Sequence, residues 1–75
     1  MKTTQIEVGK TYANKGAGKT FRKVLAIGDE HRPKFWFSGK QPPDEPGILY
    51  EQTGRNAGIG NLYITSFSSW CRCEV

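Results

Sequence analysis

The sequence TFRKVLAI, residues 20–27, is the strongest strand signal in the chain. Its later half, Val24 to Ile27, is apolar at every position, which is typical of a strand that passes from an open edge into a core. Two glycines and an asparagine lie just before it, within residues 14–18, and supply the backbone conformations that a chain reversal needs. Residues 20–27 are therefore predicted as a strand that follows a turn.

Shorter strand signals lie on both sides of this segment. After an alternating stretch at residues 6–8, the predicted strands are residues 10–12, 34–37, 48–51 and 59–64. Thr65 or Ser66 is placed to cap a helical turn that puts Phe67 and Trp70 on one side, where they would plug the end of a barrel. The prediction is a mainly β fold, a small SH3-like five-stranded barrel with a short C-terminal helical turn. An OB-like barrel is the alternative, less favoured because the strands are short.

A chain of 75 residues has room for one domain, residues 1–75, with a single small core. Such a core stabilises a fold by only ~3–5 kcal/mol. Four Phe, three Tyr and two Trp residues nevertheless make a core without metal or disulfide feasible, because each aromatic ring buries a large area. The sequence leaves open whether residues 1–7 are ordered.

Charge and cysteine content limit the classes of protein to which the chain can belong. The net charge is +4, and it is uneven, with +5 on residues 1–23 and −1 on residues 24–75. A basic end can attract nucleic acid or an acidic protein surface, or it can be a solvated face. Cys71 and Cys73 are too close in sequence for an easy disulfide and are predicted as free thiols on a C-terminal tail. The chain shows no apolar signal or membrane segment, so a soluble protein of a reducing cytoplasm is expected.

The residues give little support to catalysis or cofactor binding. His31 is the single histidine and has no convergent nucleophile, so no catalytic residue, cofactor or metal ligand is predicted. A zinc site from Cys71, Cys73 and His31 would be one ligand short. Gly16 to Thr20 ends like a phosphate-binding loop, but it lacks the first glycine and is followed by a predicted strand instead of a helix.

Two binding functions remain. Basic residues around the first hairpin, with aromatic rings in reach, suit nucleic acid. Outward-facing Trp36, Tyr50 and Tyr63 suit a protein partner, since Trp, Tyr and Arg are frequent hot spots. Trp36 can instead be half-buried in its own barrel. The predicted partner-binding residues are Lys10, Lys15, Lys19, Arg22, Lys23, Trp36 and Tyr50.

Three stretches carry a family resemblance: Val8 to Tyr12, Arg22 to Gly28, and Pro46 to Glu51 with Asn61 to Tyr63 and Phe67 to Trp70. The chain resembles small early proteins of tailed bacteriophages and prophages, and is similar to phage transcription regulators that bind RNA polymerase. The resemblance implies a non-enzymatic monomer in the host bacterial cytoplasm that binds host RNA polymerase and blocks initiation or promotes terminator readthrough. A nucleic-acid-binding barrel and an inhibitor of another host protein are the alternatives.

Overall fold

The computed structural model describes residues 2–14, 20–33, 44–54 and 56–75 and shows a mainly β fold. Five strands form one antiparallel sheet in the spatial order β4-β3-β2-β1-β5. The strands are β1 (Thr11–Ala13), β2 (Phe21–Gly28), β3 (Gly47–Thr53), β4 (Gly58–Tyr63) and β5 (Cys73–Glu74), with helix α1 (Ile64–Trp70) between β4 and β5. Two 3₁₀ turns, Thr3–Gln5 and Asp29–His31, complete the described elements.

The predicted mainly β class, with five strands and a short C-terminal helix, is confirmed. Closure into an SH3-like barrel is not seen, because β4 and β5 are the two edges of the sheet in the described part of the chain. The predicted aromatic strand at residues 34–37 lies outside the described residues. The alternating stretch at residues 6–8 is not a strand: it runs from the first 3₁₀ turn into a turn at Val8 and Gly9.

The C-terminal tail is the clearest correction in the fold. Cys73 pairs with Ala13 and Glu74 with Tyr12, so these residues form β5 alongside β1. The Cys71 side chain is fully buried in the core. A two-residue strand has no periodicity of its own, so the sequence pattern indicated a free tail where the backbone of β1 supplies a partner.

The core lies between one face of the sheet and helix α1. Phe67 is fully buried, and its ring contacts those of Tyr12, Tyr50 and Trp70 at centroid distances of 5.9, 5.6 and 6.0 Å. Other core members are Ile6, Val24, Ile48 and Cys71. The predicted placement of Phe67 and Trp70 on one side of the helix is thus confirmed.

The start of α1 differs from the sequence expectation. The helix begins at Ile64, so Thr65 and Ser66 are inside it and do not cap it. The Glu45 carboxylate, from the segment before β3, instead accepts a hydrogen bond from the Thr65 backbone amide at 2.7 Å. The Asn14 side chain donates to the Trp70 carbonyl at the other end. Both ends of the helix are therefore tied to distant parts of the chain, which fixes its position on the sheet.

A bulge in β2 changes which residues of the longest strand face the core. Val24 pairs with Tyr50, but Ala26 pairs with the next residue, Leu49, so the register shifts at Leu25. Val24 is fully buried, whereas the Leu25 side chain is 37% exposed. The continuous apolar run is therefore not buried throughout.

The Tyr12 hydroxyl anchors the N-terminal segment. Tyr12 is fully buried, and its hydroxyl donates to the Gln5 carbonyl at 3.0 Å and accepts from the Glu7 amide at 2.9 Å. These bonds hold the chain on either side of buried Ile6. Burial raises the pKa of Tyr12 above its ordinary value.

We expect Tyr12→Phe to lower the unfolding free energy by about 1–3 kcal/mol, because it leaves two backbone groups without their partner. Urea denaturation measures the change. Tyr50→Phe is the matched control, since the Tyr50 hydroxyl makes no hydrogen bond among the described residues. Equal losses in the two variants would contradict an anchoring role for the Tyr12 hydroxyl.

Stability should also fall at alkaline pH. Burial raises the pKa of the Cys71 thiol from 9.0 to about 11, so the unfolded chain releases this proton first and rising pH favours unfolding. We expect a loss on the order of 1–3 kcal/mol from this thiol across that interval. Urea denaturation at several pH values measures it. Cys71→Ala should flatten the pH dependence, while Cys73→Ala should not; identical slopes in both variants would refute the assignment.

Candidate functional site

One sheet face carries an arginine in cation–π contact with two aromatic rings. The Arg22 guanidinium lies 4.6 Å from the Tyr50 ring centroid and 4.2 Å from that of Trp70. Its Nε donates to Gln52 Oε1 at 2.8 Å. We call Arg22, Tyr50, Gln52 and Trp70 the arginine cluster. Cation–π contacts with two rings add to this hydrogen bond in holding the guanidinium in place.

The strand register explains how these residues meet. Arg22 pairs with Gln52 across β2 and β3, and Val24 pairs with Tyr50, so Arg22 and Tyr50 are diagonal neighbours on the same face. Trp70 reaches that face from the last turn of α1. The cluster therefore requires both the correct β2–β3 register and the docked helix.

A groove adjoins the arginine cluster. It has a volume of about 290 Å³ and is lined by Tyr50, Gln52 and the residues of the β3–β4 hairpin, Asn56, Ala57, Gly58, Ile59 and Gly60. Gly58 pairs with Gln52 and Gly60 with Tyr50, so β4 places no side chain beside either cluster residue. A Cβ atom at Gly58 would meet nothing within 4 Å, so the space beside Gln52 is open, and Tyr50 and Gln52 belong to both features.

Gly60 also sets the position of the Tyr50 ring. A Cβ atom at Gly60 would lie 2.7 Å from the Tyr50 hydroxyl oxygen and 2.8 Å from Cζ, which is closer than such atoms approach. The Gln52 side chain is held in turn, because its Nε2 donates to the Asn56 carbonyl at 3.1 Å. Asn56 has a positive φ of 58°, so the hairpin turn brings this carbonyl toward β3.

The structure separates the basic residues that the sequence grouped together. Arg22 and Lys23 are adjacent in β2 and so face opposite sides of the sheet. Lys23 is exposed, across from Glu51. Lys10 Nζ lies 3.4 Å from carboxylate oxygens of both Glu7 and Glu74, and hydrogen bonds to Glu74 and Glu7 raise its pKa. These three predicted residues do not form one basic patch.

The aromatic residues predicted to face outward occupy different environments in the structure. Tyr50 is half-buried against Phe67 and lines the groove, so it does not simply project outward. Tyr63 is buried at 5% exposure, with the Arg32 guanidinium 5.7 Å from its ring, which contradicts the outward orientation predicted for it. Lys15, Lys19 and Trp36 lie outside the described residues. Sequence reasoning missed Gln52 as a site residue and treated Trp70 only as a core plug.

Three further findings concern other classes of site. Residue 21 begins a strand, whereas a phosphate-binding loop ending at Lys19 and Thr20 would need a helix there. No group of three or more His, Cys, Asp or Glu residues in the described ranges is placed to hold a metal ion. None of the helices described has the length and hydrophobicity of a membrane-spanning segment.

We expect Gly60→Ala to displace the Tyr50 ring and to lower the unfolding free energy by about 1–3 kcal/mol through overpacking. The direct readout is the NMR shift of the Arg22 side-chain protons, which two stacked rings should move upfield. Gly60→Ala should reduce this ring-current shift. Gly58→Ala, where a Cβ meets no atom within 4 Å, strains only the backbone and should preserve it. An unchanged shift in Gly60→Ala would contradict the packing of Tyr50 over Gly60.

Comparison with known protein families, with curated protein sequences and with solved structures found no match. The resemblance to phage early proteins therefore remains a prediction from the sequence. What the structure adds is a defined surface, in which a half-buried arginine, two aromatic rings and a glycine-lined groove lie side by side. The functional argument below starts from that surface.

Proposed function

We propose that the protein is a non-enzymatic binding module that recognises another protein through the arginine cluster and the adjoining groove. The observation that carries this proposal is the contact of the Arg22 guanidinium with the rings of both Tyr50 and Trp70. Arg, Tyr and Trp are the residue types that contribute most to protein interfaces. The three side chains are already ordered here, so a partner would not have to immobilise them on binding.

A protein partner fits the charge distribution better than nucleic acid does. Nucleic-acid binding depends on several cations along one face, which together neutralise phosphates. Arg22 and Lys23 lie on opposite faces, and Lys10 is engaged by two carboxylates. A single ordered arginine beside a groove suits recognition of a discrete feature on a folded or extended chain.

The partner that we propose is host bacterial RNA polymerase, as the resemblance to phage regulators implies. In this proposal the protein acts in the host cytoplasm and inhibits or redirects transcription by occupying a surface that another factor or the polymerase itself needs. The net charge of +4 would favour encounter with an acidic surface. Inhibition of a different host protein would use the same surface and the same mechanism.

The test is binding of the purified protein to purified bacterial RNA polymerase, measured by biolayer interferometry, followed by a promoter-initiation and terminator-readthrough assay. We expect Arg22→Gln to weaken binding by about tenfold or more, since loss of a central arginine hot spot costs about 2 kcal/mol. Lys23→Gln removes the same charge from the opposite face and is the matched control.

Three results would contradict this proposal. Absence of polymerase binding at moderate salt would exclude the partner. Equal weakening by Arg22→Gln and Lys23→Gln would indicate a general charge effect instead of a specific surface. Tight binding to a thymidine oligonucleotide that falls steeply with salt would favour the nucleic-acid alternative.

A further inference from the structure

Arg22 has hydrogen-bonding capacity that the fold leaves unused. Its Nε is bonded to Gln52, but neither terminal nitrogen donates a hydrogen bond within the described residues. No carboxylate in that part of the chain forms an ion pair with it. The contrast with Lys10 is direct, because Lys10 has two carboxylate partners.

The geometry of an arginine side chain determines which ligand groups can use these terminal donors. A guanidinium presents its donors in a planar fork that matches the two oxygens of a carboxylate. The rings of Tyr50 and Trp70 lie 4.6 and 4.2 Å from the guanidinium carbon, and a bidentate carboxylate approaches the guanidinium in its own plane, along the edge that carries the donors. The Nε side of that edge is occupied by Gln52, which leaves the terminal nitrogens as the point of contact.

The adjoining groove has the shape and polarity to take the rest of a peptide. Tyr50 and Gln52 connect it to Arg22, and Gly58, where a Cβ atom would meet nothing within 4 Å, leaves open space beside Gln52. None of the described residues that line it is Asp or Glu. An acidic segment would therefore meet no like charge from the residues that form the groove.

We propose that this site binds an extended acidic segment of the protein partner, with an Asp or Glu carboxylate on the terminal nitrogens of Arg22 and the neighbouring residues in the groove. This inference rests on the proposed function as a protein-binding module and adds the chemistry of what is bound. A phosphate could also engage a guanidinium, but among the described residues of the cluster and the groove Arg22 is joined by no second basic side chain, which favours a carboxylate.

The probe is a blocked peptide that alternates glutamate and serine, titrated into the ¹⁵N-labelled protein at physiological ionic strength. We expect saturable NMR shifts at Arg22 Nε and at the amides of Gly58 and Gly60. The counterpart peptide with glutamine in place of glutamate should bind at least about tenfold more weakly, as expected for loss of a charge-assisted contact. Shifts distributed over the whole surface, or equal affinity for both peptides, would overturn the proposal.

Substitutions distinguish the contribution of the planar guanidinium of Arg22 from that of its positive charge. Arg22→Lys keeps the charge but loses the planar fork, so we expect it to weaken peptide binding by about tenfold. Lys23→Gln should change it by less than about twofold, since that charge is exposed on the other face. If Arg22→Lys fails to fold, Gly60→Ala tests the same site through the Tyr50 ring. Full affinity in these variants would overturn the proposal.

The same titration distinguishes this inference from the proposed function. Peptide binding at Arg22 without polymerase binding would support the acidic-segment site and exclude the proposed partner. Polymerase binding without peptide binding would support the partner and overturn the site. A third outcome is that a thymidine hexanucleotide binds the same residues more tightly than the glutamate peptide. The preferred ligand of Arg22 would then be a phosphate and not a carboxylate, and the proposal would be overturned.

Discussion

The burial of the Phe67 ring holds the structure together. It contacts Tyr12 on β1, Tyr50 on β3 and Trp70 at the end of its own helix. Removing such a ring costs about 3–5 kcal/mol, which equals the stability of a typical domain of this size. Both rings that hold Arg22 are in contact with Phe67, so the site depends on the same packing as the core.

The sequence pattern predicted the elements whose signal is local. The β2 segment, the hairpin strands and the Phe67–Trp70 spacing in α1 were readable from apolar runs and turn residues. The bulge at Leu25 was not, because a shift of register leaves no mark on the pattern of a continuous apolar run. The pairing of β5 with β1 was also hidden, since it joins residues about sixty positions apart.

The residues of the candidate site also divide into those that the sequence indicated and those that only long-range structure places there. Arg22 and Tyr50 were predicted as binding residues from their chemical type, and they do lie together. Gln52 and Trp70 were not, because their places follow from strand register and helix docking, which are long-range properties. The number of positive charges in residues 10–23 suggested one basic patch. In the structure, Arg22 and Lys23 face opposite sides of the sheet, and Lys10 is paired with two carboxylates.

The position of β1 bears on how the chain folds. This three-residue strand pairs with β2 on one side and with β5 on the other, and its Tyr12 hydroxyl anchors the N-terminal segment. Pairing among β1 to β4 joins residues that are at most 32 positions apart, as for Phe21 and Thr53, so these strands can pair with a smaller loss of chain entropy. The β1–β5 ladder must close a far longer loop and is expected to form late. The last segments to be secured would then include the end of α1, so Arg22 would gain its second ring only when folding is complete.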